Sequence, residues 1–201
     1  YVSAPNDKRR RSCQTVMALI IERLAAAIAP VLCHMAEDIW QNIPYPTGTE
    51  SVFLSGWPTV PDEWRDDSLQ APMQELRELR AAVNKVLEEC RSKRELGASL
   101  EAAVRLEART PALQDALHWL QSKGDQEVDG LRDWLLVSQL QIGGEPWAEL
   151  LASDDNELAV IEVALSRGEK CERCWHYESD IGQSSDHPSL CGRCVSVLER
   201  R

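Results

Sequence analysis

Near the end of the chain Cys171 and Cys174 are followed, after sixteen intervening residues, by Cys191 and Cys194. Two CxxC pairs at this separation have the spacing of a four-cysteine zinc site. Each pair sets two thiolates on one tight turn, and the stretch between is long enough for a small hairpin that closes the turns around a tetrahedral ion. Four cysteines fill the coordination sphere and leave no position for water or substrate, so the spacing predicts a structural site. A ribbon of roughly thirty residues cannot bury enough apolar surface to hold a shape. Metal binding must then supply its folding free energy, on the order of 10 kcal/mol or more.

The competing reading is a pair of disulfides, as in a small secreted domain. It fits poorly with Cys13, Cys33 and Cys90, which are scattered singly through helical patterns with nothing secretory before them. His176 and His187 lie within the ribbon and could each replace a cysteine. With four cysteines in register they are expected as solvent-facing loop residues. Trp175 sits beside the first pair, and Arg173 and Arg193 lie inside the two turns. Trp175 either packs under the metal knot or offers its face to a ligand, and both readings stand.

With 201 residues, the chain has room for one sizeable domain, or two small ones plus the ribbon. Hydrophobic residues make up 43%, and one Phe against seven Trp leaves the large apolar volume mainly to indoles. A formal net charge of -11 argues against a protein that grips nucleic acid with its whole surface. Any such binding must be local, and the one dense basic run is Lys8, Arg9, Arg10, Arg11. That run followed by Val16 to Ile21 faintly suggests a signal peptide, but Glu22 and Arg23 interrupt the apolar stretch well short of a membrane span. A soluble, cytosolic protein is expected. The first residue is Tyr1, not methionine, and the chain reads as part of something longer.

From Ser12, a candidate N-cap, apolar residues recur three or four apart at Val16, Ile20, Leu24, Ile28, Val31, Met35 and Ile39. Pro30 falls inside this stripe, so two helices or one kinked helix are expected. His34 is read as packed or solvent-facing. Between Asn42 and Pro61 the period vanishes into a proline- and glycine-marked surface loop, with a short extended piece at Ser51 to Ser55 and with Trp57 and Trp64 pinning it to the helices. A second long helix carries Leu69, Met73, Leu76, Leu79, Val83, Leu87 and Cys90 on one face and charges on the other.

After Gly97 the pattern changes. Ala102 to Ala108 alternates as a strand, and Thr110 to Gln121 has the cap, proline and period of a short helix. Trp134 to Ile142 and Leu158 to Leu165 read as further strands. Asp125 to Gly130 and the acidic stretch Ser153 to Glu157 are expected as exposed loops, and Ser166 to Lys170 as a linker. The fold class is thus mainly α: a helical bundle, a small α+β domain and a terminal zinc ribbon. The corresponding domains are residues 1–95, 96–166 and 167–201.

Motifs for catalysis are missing: there is no GxGxxG, GxxxxGK[ST], GxSxG or HExxH. The chain reads as a binding appendage. Unpaired RNA is the physically sensible nucleic acid for it. Unstacked bases can lie on Trp175 at roughly 1 to 3 kcal/mol each, while arginines meet phosphate or base edges. The alternative for Arg9 to Arg11 is a solvated helix start.

Seven stretches together resemble one family. RRSCQT (Arg10 to Thr15), APVL with AEDIW (Ala29 to Leu32, Ala36 to Trp40), VNKVLEECR (Val83 to Arg91) with LGASLEAAV (Leu96 to Val104), and GEKCERCWHY with CGRCVSVL look like the carboxy-terminal part of bacterial-type isoleucyl-tRNA synthetases. The resemblance runs over essentially the whole chain in the right order, and its ribbon motif is the most specific piece. It implies that the helices from Ser12 to Arg94 belong to an anticodon-binding bundle whose first helices are missing, that the α+β unit links it onward, and that the ribbon helps hold the anticodon arm. It further implies a cytoplasmic, monomeric parent ligase that joins isoleucine to its tRNA using ATP, which this segment does not bind. Neither the class I nucleotide-binding signatures nor the editing domain occurs in the sequence, so the segment alone is expected not to aminoacylate.

Carried over position by position, Cys171, Cys174, Cys191 and Cys194 match the family's zinc ligands, Arg10 and Arg11 its basic helix start, and Trp175 its aromatic. The expected tRNA-binding residues are Arg10, Arg11, Arg173, Trp175 and Arg193. Two other classes compete: a DNA-repair glycosylase with a terminal zinc ribbon, disfavoured by the acidic balance, and a non-enzymatic interaction module.

Overall fold

The computed structural model describes residues 2–123 and 130–199. It divides into two compact units, Ser3–Arg65 and the described residues from Asp66 onward, with Val2 packing in the second.

The first unit is built on two helices. α1 (Lys8–Ile28) begins earlier than Ser12, because the Asp7 side chain is the actual N-cap and accepts from the Arg10 backbone N–H at 2.9 Å. The chain then breaks at Ala29–Leu32, where Pro30 cannot continue the helical ladder, and α2 (Cys33–Gln41) follows. The seam between them is made of small residues. Ala25, Ala26, Ala29 and Ala36 pack with Trp40 and Val52, while the stripe from Val16 through Ile20 and Leu24 to Val31 and Met35 is exposed.

The connection after α2 is held differently from expectation. Val52–Leu54 forms a 3-10 turn in place of an extended piece, and buried Val52 anchors it. Trp40 Nε1 donates to Thr49 O at 3.1 Å, and the Tyr45 hydroxyl donates to Ala18 O at 3.2 Å. Trp57 pins nothing, being 72% exposed. Trp64 does engage α1, through the Arg23 guanidinium stacked 4.8 Å from its ring centroid.

The second unit is a four-stranded sheet covered on one face by helices. α3 (Gln70–Ser92) buries Leu76, Leu79, Val83, Val86, Leu87 and Cys90 and packs them on the sheet core. β1 (Ala102–Ala108) contributes Val104 and Leu106 to that core. α4 (Pro111–Gln121), capped by the Thr110 hydroxyl accepting from Leu113 N at 3.2 Å, and α5 (Gly130–Leu135) complete the cover. β2 (Gln139–Ile142) runs parallel to β1; β4 (Ala159–Leu165) is antiparallel to both β1 and β3 (Ala152–Asp155), giving the order β2-β1-β4-β3.

Two expectations change here. The run read as a strand from Trp134 is helical through Leu135, turns at Leu136 (φ +57°) and becomes a strand only at Gln139. The acidic stretch read as a loop from Ser153 is the edge strand β3, paired Ser153 to Glu162 and Asp155 to Val160. The turn expected at Asp125 to Gly130 lies outside the described residues up to Gly130, where α5 begins.

On the opposite sheet face Arg105 and Glu162 form a bidentate ion pair (2.7 and 2.9 Å), with side chains only 2% and 8% exposed. The loop after β2 covers it, Trp147 N donating to Glu162 Oε2 at 3.1 Å. The Arg105 pairing, opposed by burial, holds the Glu162 carboxyl below its ordinary value.

Candidate metal centre and nucleic-acid interface

The ribbon begins with a short hairpin, β5 (Glu169–Lys170) against β6 (Tyr177–Glu178), so the expected linker ends as a strand. The first CxxC turn lies between its strands. Cys171 N donates to His176 O at 2.9 Å and Trp175 N to Cys171 O at 2.9 Å. Gly168 permits the hairpin: its φ is +105°, and a Cβ there would stand 2.4 Å from Glu178 O. The second pair is presented by α6 (Gly192–Glu199), whose Gly192 N–H is capped by Asp180 Oδ2 at 2.9 Å.

These two devices bring the four sulfurs within 4.8 Å of one another, all four cysteines buried. Cys174 and Cys191 Sγ stand 3.7 Å apart. Zinc–sulfur bonds of about 2.3 Å in a tetrahedron require sulfur–sulfur edges of roughly 3.8 Å, so the spacing fits a zinc ion. A disulfide needs about 2.05 Å, and all seven cysteines are free.

Proton chemistry points the same way. Hydrogen bonding to Cys191 and then Cys194 drives the Cys174 thiol far down, while the same pairing pushes Cys191 up. Four thiolates this close together need a cation. Among the described residues, no histidine joins the ligand cluster. His176 is not solvent-facing. Its Nε2 is buried without a hydrogen-bond partner, and its Nδ1 lies 3.5 Å from Arg193 Nη2.

The remaining candidate residues fall into two groups. Trp175 stands out of the knot, 61% exposed, at a left-handed φ of +67°. The Lys170 ammonium is 5.5 Å from its ring centroid, a neighbour that sequence reasoning missed although it precedes the first cysteine. Arg11 is exposed on the first turn of α1. By contrast Arg10 Nη1 donates to Ser3 O at 3.0 Å, and Arg173 Nη1 donates to Val2 O at 2.7 Å and to Cys194 Sγ at 3.5 Å.

Also unforeseen is the clamp between ribbon and sheet. Tyr177 N donates to Ser138 Oγ at 2.8 Å, Arg132 Nη1 to Glu178 Oε1 at 3.1 Å, and Gln139 Nε2 to Arg167 O at 2.8 Å. Nothing in the local sequence distinguishes these polar residues from surface ones, since their partners lie far along the chain.

The chain thus joins a helical unit with a basic first turn to a ribbon closed by four sulfurs. Two family models match it: the anticodon-binding domain of tRNA ligases over residues 1–106, and a zinc finger found in FPG and IleRS over residues 168–197. The first covers more than half of the chain, and the chain belongs to the family of tRNA ligase anticodon-binding domains. The second, with the four-cysteine cluster, supports one structural zinc ion.

The curated relatives are isoleucine–tRNA ligases. That of Synechococcus sp. (strain CC9311) is 94% identical over 201 residues, which is 100% of this chain and 21% of the relative. That of Parasynechococcus marenigrum (strain WH8102) is 73% identical over the same span, and that of Prochlorococcus marinus (strain MIT 9515) 44% over 198 residues, 98% of this chain. The chain spans about a fifth of the length of these relatives. Among the described residues no helix is long and apolar enough to cross a membrane.

Proposed function

We propose that this chain is the carboxy-terminal tRNA-positioning region of an isoleucine–tRNA ligase, a cytoplasmic and monomeric protein that attaches isoleucine to its tRNA using ATP. Its part in that reaction is to hold the anticodon arm so that the acceptor end reaches an active site elsewhere in the ligase. The functional division follows residues 1–95 for the anticodon-binding helices, 96–166 for the linking unit and 167–201 for the ribbon. The ribbon family model alone does not choose between a ligase and a glycosylase; the match over residues 1–106 favours the ligase.

Cys171, Cys174, Cys191 and Cys194 hold the zinc ion, which when bound supplies a crosslink between two turns. The observation that carries the RNA reading is Trp175. A tryptophan 61% exposed at φ +67° is held outward by its own backbone bond to Cys171, and such a ring is a stacking platform for an unpaired base. Arg11 offers a charge to phosphate. Arg10, Arg173 and Arg193 belong to the same two surfaces and act there from partly buried positions.

The test is binding of the zinc-loaded chain to an isoleucine tRNA and to the same tRNA with its anticodon replaced, at one fixed salt concentration. Tighter binding to the native anticodon, lost on chelation of zinc, is expected. Equal binding to both tRNAs, in this chain and in the full ligase alike, would overturn the reading.

A further inference from the structure

A zinc ion bound by four thiolates carries a net charge of −2, and this ribbon buries all four sulfurs. Burying such a charge is costly unless compensating donors meet it. Two arginines, Arg173 and Arg193, stand inside the CxxC turns beside the cysteines. Arg173 Nη1 is 3.5 Å from Cys194 Sγ and is fixed there by its second bond, to Val2 O at 2.7 Å. Arg193 sits in the first turn of α6 between two of the cysteines, half-buried, with Nη2 3.5 Å from His176 Nδ1. A guanidinium only donates, so His176 Nδ1 must accept and the ring proton sits on Nε2. That Nε2–H is buried with no nitrogen or oxygen partner.

We infer that Arg173 and Arg193, with His176 orienting the latter, are positioning residues for the zinc–thiolate cluster. Their two positive charges cancel its −2, and the Arg173 N–H donates to the Cys194 sulfur, so that the ligands keep the ion and are shielded from alkylation. One guanidinium lies on the Cys194 side of the tetrahedron, and the other is carried beside Cys194 on α6 and turned toward His176. The inference rests on zinc occupancy of the cluster.

The experiment uses the full chain loaded with zinc. Release of the metal to a colorimetric chelator and alkylation of the cysteines by iodoacetamide are followed for Arg173→Met, Arg193→Met and the corresponding Gln variants. Each loss of charge is expected to speed zinc release and alkylation about 10- to 100-fold. In cobalt-loaded protein the sulfur-to-metal charge-transfer band should shift, because a thiolate stripped of its donor is a stronger electron donor to the metal.

Where a Met variant does not fold, the Gln variant at saturating zinc carries the test. Wild-type release and alkylation rates with an unshifted cobalt band, in whichever variants fold, overturn the inference. tRNA binding of the unmodified, zinc-saturated chain separates the two proposals, since both arginines also belong to the proposed RNA surfaces and their variants cannot do so. A failure of the RNA reading would show as no discrimination by the unmodified chain, whatever the release rates.

Discussion

At Trp175 two demands meet in one residue: a left-handed backbone, which costs a non-glycine residue roughly 1 to 2 kcal/mol, and a large ring left in solvent. Replacing it separates the two. Trp175→Gly is expected to be about 1 kcal/mol more stable than Trp175→Ala, since only alanine keeps the strain, while both lose roughly 1 to 3 kcal/mol of RNA affinity. Chemical denaturation and titration with tRNA read the two effects. Equal stability of the variants would remove the strain argument, and unchanged affinity would remove the stacking one. At the buried pair the stakes are stability alone. Glu162→Gln leaves the buried Arg105 charge with only the exposed Glu107 carboxylate, 3.3 Å from its Nη1, and should cost about 3 kcal/mol in a urea melt. The pH dependence follows from sign. The folded carboxyl titrates below its ordinary 4.5, so its contribution is fully present above 4.5 and lost as the pH falls through the depressed folded value. The acid-induced loss of stability below pH 4.5 should therefore be shallower in Glu162→Gln; an identical acid limb in both proteins would mean that the pair does not govern it.

At the level of elements, what the sequence shows well is where an unambiguous period or motif exists. Helices α3 and α4 were legible from spacing and from the Thr110–Pro111 start, and the four-cysteine cluster from two CxxC pairs. Burial was less legible. The Val16–Ile20–Leu24 stripe reads as the core face of α1, yet the buried seam is Ala25, Ala26 and Ala29, residues too small to stand out in a hydrophobic pattern. Strand β3 was hidden by its composition: Ser153 to Asp155 have poor strand propensity, and only pairing with β4 makes them a ladder. The run after Asp133 failed for another reason, because a short apolar stretch fits a buried helix as well as a strand. Among the small elements the β5–β6 hairpin depends on one position. Gly168→Ala would set a methyl 2.4 Å from Glu178 O at a φ of +105°, so the hairpin must open or shift. Faster zinc release is expected, with the melting of the sheet core little changed. An Ala variant that keeps its zinc as long as the unmodified chain would show that the first CxxC turn does not need the hairpin.

For the whole molecule, the two cores of the second unit differ in what sustains them. Among the described residues the sheet core joins α3, α4, α5 and strands β1 and β4 through nineteen buried residues and needs no ligand. Among the described residues the ribbon's buried cluster is its four cysteines, flanked by Val2, Ile181 and Leu190, with Val197 also buried on α6, and thiols packed this closely do not hold a fold without a cation to bind them. Removing zinc should thus dissolve the ribbon and leave the sheet standing, even though the Ser138, Arg132 and Gln139 contacts tie one to the other. Ser138 is held to the sheet by a bond that does not involve the ribbon, its N–H donating to Ala102 O at 3.1 Å. Hydrogen exchange under chelation provides the reading. The amides of Cys171, Tyr177 and Val195 should exchange orders of magnitude faster within the first chelator steps, while Ser138, Val104 and Val163 keep their protection and most of the helical circular dichroism remains. RNA discrimination should vanish at the same chelator concentration, because Trp175 then has no fixed direction. If the sheet amides lose protection together with those of the ribbon, the unit is one cooperative body held by zinc, and the ion stabilises the fold on which the whole surface is built.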